Sequence, residues 1–124
     1  MREILFRGKN VDDGEWAYGC FAMINDSPYI IAEDAFFDYG GIFGCDEVIP
    51  ESVGQYTGLV DRNGTKIFEG DIVTEGCNGL TSVVVWDMSK GTYRLKDLGD
   101  GYTIEYAHEW EVIGNIHDNP VVTQ

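Results

Sequence analysis

The sequence predicts an all-β protein of short antiparallel strands arranged as two packed small β units. Three observations carry that class. Glycine, proline, asparagine and aspartate recur between short apolar runs along the chain. Several of those runs alternate with the period of two expected of a strand. No segment supports a helix of three turns. The length of 124 residues fits one domain, or two very small β units sharing an interface. The units are placed roughly at 1–69 and 70–124, the second expected to be a small SH3-like barrel.

In chain order, Ile4-Leu5-Phe6 reads as a short strand and Gly8 to Gly14 as a polar loop. Trp16 to Ile24 alternates between Trp16, Tyr18, Cys20 and Ala22 on one face and Ala17, Gly19, Phe21 and Met23 on the other. Both sets are largely apolar, which predicts burial on two sides. A turn at Asn25-Asp26-Ser27-Pro28 leads into a strand at Tyr29–Ala32. From Ala35 to Gly44 the alternation fails. Pro50 ends the strand before it, since proline removes a ladder donor, and Glu51-Ser52-Val53 is the one place suited to a single helical turn.

The run Val48 to Val73 is the most legible part of the chain. Tyr56–Val60 and Thr65–Phe68 are β-prone and flank Asp61-Arg62-Asn63-Gly64, with Asp first and Gly fourth in a type I turn. The glycine is expected at positive φ. Gly70-Asp71 makes a second corner before the next strand. Beyond it, Asp71–Thr74, Thr81–Asp87, Thr92–Asp97, Tyr102–Tyr106 and Glu111–Ile116 read as five strands. Turns are expected at Asn78-Gly79, Asp87–Gly91 and Gly99-Asp100-Gly101. Bent round one core, these strands would place Val83, Val85 and Trp86 near the centre of the barrel.

The opening Arg2–Lys9, the segment Asp13–Gly19, the run Val48–Val73 and the close Glu111–Pro120 together resemble the YopX family. The phrases G-Q-Y-T-G-L, E-G-D-I-V and V-I-G-N-I-H-D-N-P, in that order, carry the resemblance. The segments Asp34–Gly44 and Glu75–Glu109 match less closely. The resemblance implies an all-β fold, a bacteriophage or prophage origin and an unassigned activity. It supplies no catalytic residues.

Charge narrows the partners. The net charge is −14, and no Lys or Arg stands between Lys9 and Arg62. A half-chain of that kind repels phosphate, so nucleic acid is not expected as a ligand. The acidity serves solubility, or it forms a surface for a basic partner. The N-terminal residues have no apolar signal region, and no run is long enough to span a bilayer. Cys20, Cys45 and Cys77 are unevenly spaced without a C-x-x-C pair. They are expected to be buried, reduced thiols in a cytoplasmic protein, and the resemblance implies that the cytoplasm is that of a bacterial host cell.

No reaction is assigned by these residues. His108 and His117 are the only histidines and lie outside any H-E-x-x-H pattern. Asp61-x-Asn63-Gly64 fails as a calcium loop because its sixth and twelfth positions are Lys66 and Ile72. Phosphate-cradling and nucleophile-elbow motifs are missing. The expectation is therefore a non-enzyme with no cofactor and no metal. Phe36, Phe37, Tyr39 and Phe43 are the candidate interaction surface: four large rings where alternation fails. Either they close the core between the β units or they face a partner. The functional expectation is a self-assembling or host-protein-binding module, its partners a second copy or a basic host or phage protein. The alternative is an acidic decoy that imitates the charge of DNA.

Overall fold

The computed structural model describes residues 3–75, 79–96 and 104–118. The chain divides into two compact units, Met1–Gln55 and Tyr56–Gln124. All regular structure among the described residues is antiparallel strand, apart from two 3₁₀ segments.

The first unit holds β1 (Phe6–Lys9), β2 (Trp16–Ile24), β3 (Ser27–Asp38) and β4 (Gly41–Glu47), in the sheet order β4-β3-β2-β1. The first two residues of β5 (Gly54–Val60) extend it beside β1. The first strand lies later than Ile4–Phe6, because β1 pairs Phe6 with Gly19 and Lys9 with Trp16. This choice brings Gly8 against Val48, where an added Cβ would stand 2.9 Å from the valine side chain. Asn25 and Asp26 both have positive φ, 51° and 66°. They form the two-residue turn whose twist suits a hairpin. Ser27 and Pro28 are therefore already strand, paired with Ile24 and Met23. The β2 backbone runs so close to β3 that a Cβ on Gly19 would collide with the Ile31 carbonyl.

Burial on both faces of β2 is not what forms. Tyr18, Phe21, Met23 and Ile24 are all substantially exposed, and Gly19 is the one buried residue of the strand. Among the described residues of this unit, Ile30 and Val48 are the fully buried apolar side chains. Alternation reported the two faces correctly, but a period-two pattern cannot say whether anything covers them.

The second unit contains the rest of β5, β6 (Lys66–Phe68), β7 (Asp71–Glu75), β8 (Leu80–Asp87), β9 (Thr92–Leu95) and β10 (Trp110–Asn115). The last four form a sheet in the order β10-β7-β8-β9. Ile67, Val73, Val84, Leu95, Ala107 and Trp110 make its core, with Leu59, Leu80, Tyr93 and Val112 packed around them. Ile67 draws the 56–68 hairpin into this unit.

The expected SH3-like barrel is not closed among the described residues: β9 and β10 are the two edges of the sheet they form. Of the strand expected at Tyr102–Tyr106, residues 102–103 lie outside the described residues, and 104–106 begin a second 3₁₀ segment, Ile104–Glu109. Ala107 and Trp110 explain the change. Three residues apart, they would face opposite sides of a strand, whereas a 3₁₀ turn of three residues sends both into the core. In β8 Val83 is buried as expected and Val84 fully so, Val85 is half-buried, and Trp86 is exposed and packs edge-on against Tyr93 at 4.9 Å. The expected helical turn near Glu51 is present as Pro50–Ser52.

The turn at residues 61–64 forms as its residues require. The Gly64 amide donates to the Asp61 carbonyl at 3.0 Å, and Gly64 has a φ of 83°. The Asp61 side chain is buried, and Oδ1 accepts from the amides of Asn63 and Thr65. Its Oδ2 accepts from the amide of Val112 in β10, 2.9 Å away and 51 residues on. Burial alone would push this carboxyl up, but the amides of Val112, Thr65 and Asn63, with the Arg62 charge, hold it below its ordinary value. Asp87 organises the next turn similarly. Its carboxylate takes the Ser89 hydroxyl and the amides of Ser89 and Lys90, and pairs with Arg94 at 2.9 Å. The Ser89 hydroxyl is the leading cause that lowers its pKa.

Because the folded pKa of Asp61 is depressed, its contribution to stability is present above the unfolded value near pH 4 and lost as pH falls through the folded value. Asp61→Ala strands buried donors and should cost on the order of 3 kcal/mol at pH 7. Urea unfolding should show that difference shrinking in acid. At Gly64 no atom lies within 4 Å of an added Cβ, so only backbone strain opposes substitution. Gly64→Val should cost about 1–2 kcal/mol and Gly64→Asn less. Equal costs would contradict this turn.

Candidate functional site

The segment in which alternation fails is a hairpin rather than a loop. Strand β3 continues to Asp38, the chain reverses at Tyr39-Gly40, and β4 returns along it. Register shifts between Ile31 and Phe36, after which Phe36 pairs with Phe43, Phe37 with Ile42 and Asp38 with Gly41. An irregularity of this kind interrupts the period of two, which is why the sequence pattern dissolves there. Gly44, at φ 84°, faces the bulged side of β3, where an added Cβ would come within 3.0 Å of Ala35.

The structure brings the four candidate residues together on this hairpin. The rings of Phe36 and Phe43 stack with centroids 5.1 Å apart. Paired residues share a face and neighbouring ones alternate, so Phe37 and Ile42 lie on the opposite face. Tyr39 stands in the turn, its amide donating to Asp38 Oδ1. All four rings are exposed: Phe36 by 55%, Phe43 by 46%, Phe37 by 83% and Tyr39 completely. Within the first unit they therefore close no core. Ile42, also exposed, completes the apolar set. It is an aliphatic residue outside the set of four rings, and its signal in the sequence is its place between Gly41 and Phe43. Phe37, Asp38 and Tyr39 line an open depression at the tip.

Acidic groups surround this apolar hairpin. Glu33, Asp34 and Asp38 on β3 and Glu47 on β4 are exposed, and Asp46 is half-buried. Cys20 is exposed and Cys45 half-buried, both as free thiols, so the expectation of burial fails for Cys20. Its strand face is uncovered. Cys77 lies outside the described residues. No group of three or more His, Cys, Asp or Glu is placed to hold a metal ion among the described residues. No helix among them is long and apolar enough to cross a membrane. Arg7 lies 4.5 Å and Lys9 5.5 Å from the Trp16 ring, which sets both cations of β1 against an aromatic side chain.

The sequence matches the YopX protein family over residues 5–123, nearly its whole length. The chain belongs to the YopX family. Its fold is also similar to the crystal structure of protein EF1440 from Enterococcus faecalis. The likeness has a TM-score of 0.67 and 22% identity and covers the whole of both chains. At that identity the comparison shows the fold. Among curated proteins no relative is found. The family and the structural likeness assign no biochemical activity.

A surface role for the rings has a consequence for stability. At low salt and low concentration, Phe37→Ala or Tyr39→Ala should change unfolding free energy by no more than about 0.5 kcal/mol. Ile30→Ala, at a fully buried position, should cost about 2–5 kcal/mol. Urea titrations of the three variants check the contrast. A large loss at Phe37 would place that ring in a core.

Proposed function

We propose that the chain is a non-catalytic, self-assembling interaction module of phage or prophage origin, working in the cytoplasm of a bacterial host. The observation that supports this reading most directly is the exposure of Phe36, Phe37, Tyr39, Ile42 and Phe43 on one hairpin. Apolar groups gathered in this way on a water-facing arm mark a contact surface. The chemistry agrees with a binding role. Asp61 and Asp87, whose carboxyls have lowered pKa values, are each occupied in ordering a turn. Neither nucleic acid nor a cofactor is part of this reading, because the acidic first unit opposes phosphate-bearing ligands.

One observation favours a second reading, the acidic decoy for a basic host protein. Asp12, Asp13, Glu15, Asp26, Glu33, Asp34, Asp38, Glu47 and Glu51 are all exposed in a unit with no Lys or Arg after Lys9. Salt separates the two readings. Apolar self-association strengthens as salt screens repulsion between like-charged copies, over a Debye length of ~10 Å at 0.1 M. Capture of a basic partner weakens under the same change.

Sedimentation of the pure protein across a salt series is the test. The parent should be oligomeric at micromolar concentration in high salt, and Phe37→Asp should shift it towards monomer. A parent that remains monomeric in high salt overturns self-assembly. An oligomer unaffected by Phe37→Asp, and by equivalent changes at Phe36, Tyr39 and Phe43, removes the hairpin as its contact.

A further inference from the structure

Among the described residues four strands stand at sheet edges, and three of them are protected. Strand β6 has only three residues and carries Lys66. Strand β9 has four and carries Arg94. The backbone of β10 is engaged by the 61–62 turn, through the Arg62 amide to the Trp110 carbonyl and the Val112 amide to Asp61. Short length, positive charge and cover are the usual means of keeping an edge from pairing with another chain. Strand β4 has none of them along Gly41–Asp46: it is seven residues long, without Lys, Arg or Pro.

We propose that β4 is the assembly edge, and that two copies of the chain pair there in antiparallel register about a two-fold axis at Phe43. This rests on the self-association proposed above and specifies its geometry. In that register Phe43 meets Phe43 of the second copy, Ile42 meets Gly44 and Gly41 meets Cys45. The stacked Phe36–Phe43 pair of each copy then joins the other in one row of four rings across the sheet. Ile42 and Phe37 contribute apolar surface on the other face.

Charge selects this arrangement and the occupant. Parallel pairing would place Asp46 against Asp46 and Glu47 against Glu47. The antiparallel register sends them to opposite ends, where Asp46 of one copy lies six residues along the strand from its equivalent, about 20 Å away. That is about two Debye lengths at 0.1 M salt. The uncharged run from Tyr39 to Cys45 is thus self-complementary, the property a two-fold contact requires. Asp38 remains near the tip and accounts for association that strengthens with salt.

Disulfide trapping tests the register in the full chain at high salt. With Cys20, Cys45 and Cys77 changed to Ser, Phe43→Cys should oxidise to a covalent dimer, because directly opposed residues satisfy disulfide geometry. Met88→Cys, on an exposed side chain of the second unit, reports random collision. To keep the Phe43 ring, a second variant retains Cys45 and adds Gly41→Cys, with Cys20 and Cys77 changed to Ser. It too should give a covalent dimer, with both crosslinks far faster than that of Met88→Cys. A parent that is monomeric by sedimentation overturns this geometry and the self-assembly reading together. A parent that is oligomeric while both edge variants crosslink no faster than Met88→Cys overturns the β4 pairing alone.

Discussion

The Asp61 carboxylate ties together parts of the second unit that are far apart in sequence. One oxygen fixes the turn between β5 and β6, and the other holds β10 by the Val112 amide. The Arg62 amide adds a bond to the Trp110 carbonyl, and its guanidinium pairs with Glu111 at 2.8 Å. Ile67 and Trp110 enter the core because these contacts fix the segments that carry them. A buried carboxylate is costly unless its lone pairs are filled. Here three backbone donors fill them, so the group specifies one arrangement of the turn and the last strand.

The two units differ in how they use apolar residues. In the second, six buried side chains form a continuous cluster that includes Val84 and Leu95. In the first, Ile30 and Val48 are fully buried, while Tyr18, Phe21, Met23 and the hairpin rings face water. Backbone pairing and close approach at Gly8 and Gly19 hold the first unit's sheet together. That sheet offers uncovered apolar faces and an unguarded edge. Membership of the YopX family supplies no reaction for which such a surface would be needed.

The exposed rings and the acidic surroundings act on different properties of one surface. Aromatic groups supply contact area at little conformational cost. The acids around them supply solubility and make association dependent on ionic strength.

The sequence by itself determined the class, several of the strands and the turns whose geometry is local. Asp61-Arg62-Asn63-Gly64, Gly70-Asp71 and Asp87–Gly91 were legible because their geometry depends on side chains within a few residues. The limits of β2 were legible from alternation alone. The four rings could be singled out, but not placed. Only the tertiary structure decided that they face water, that β2 is uncovered, that the 104–109 segment is 3₁₀ and that the last sheet is not closed among the described residues. Alternation tells which residues share a face, whereas burial depends on what lies against that face. Ala107 and Trp110 show the same limit, since the core that receives them is assembled from Ile67, Val73, Val84 and Leu95, contributed by segments remote in sequence.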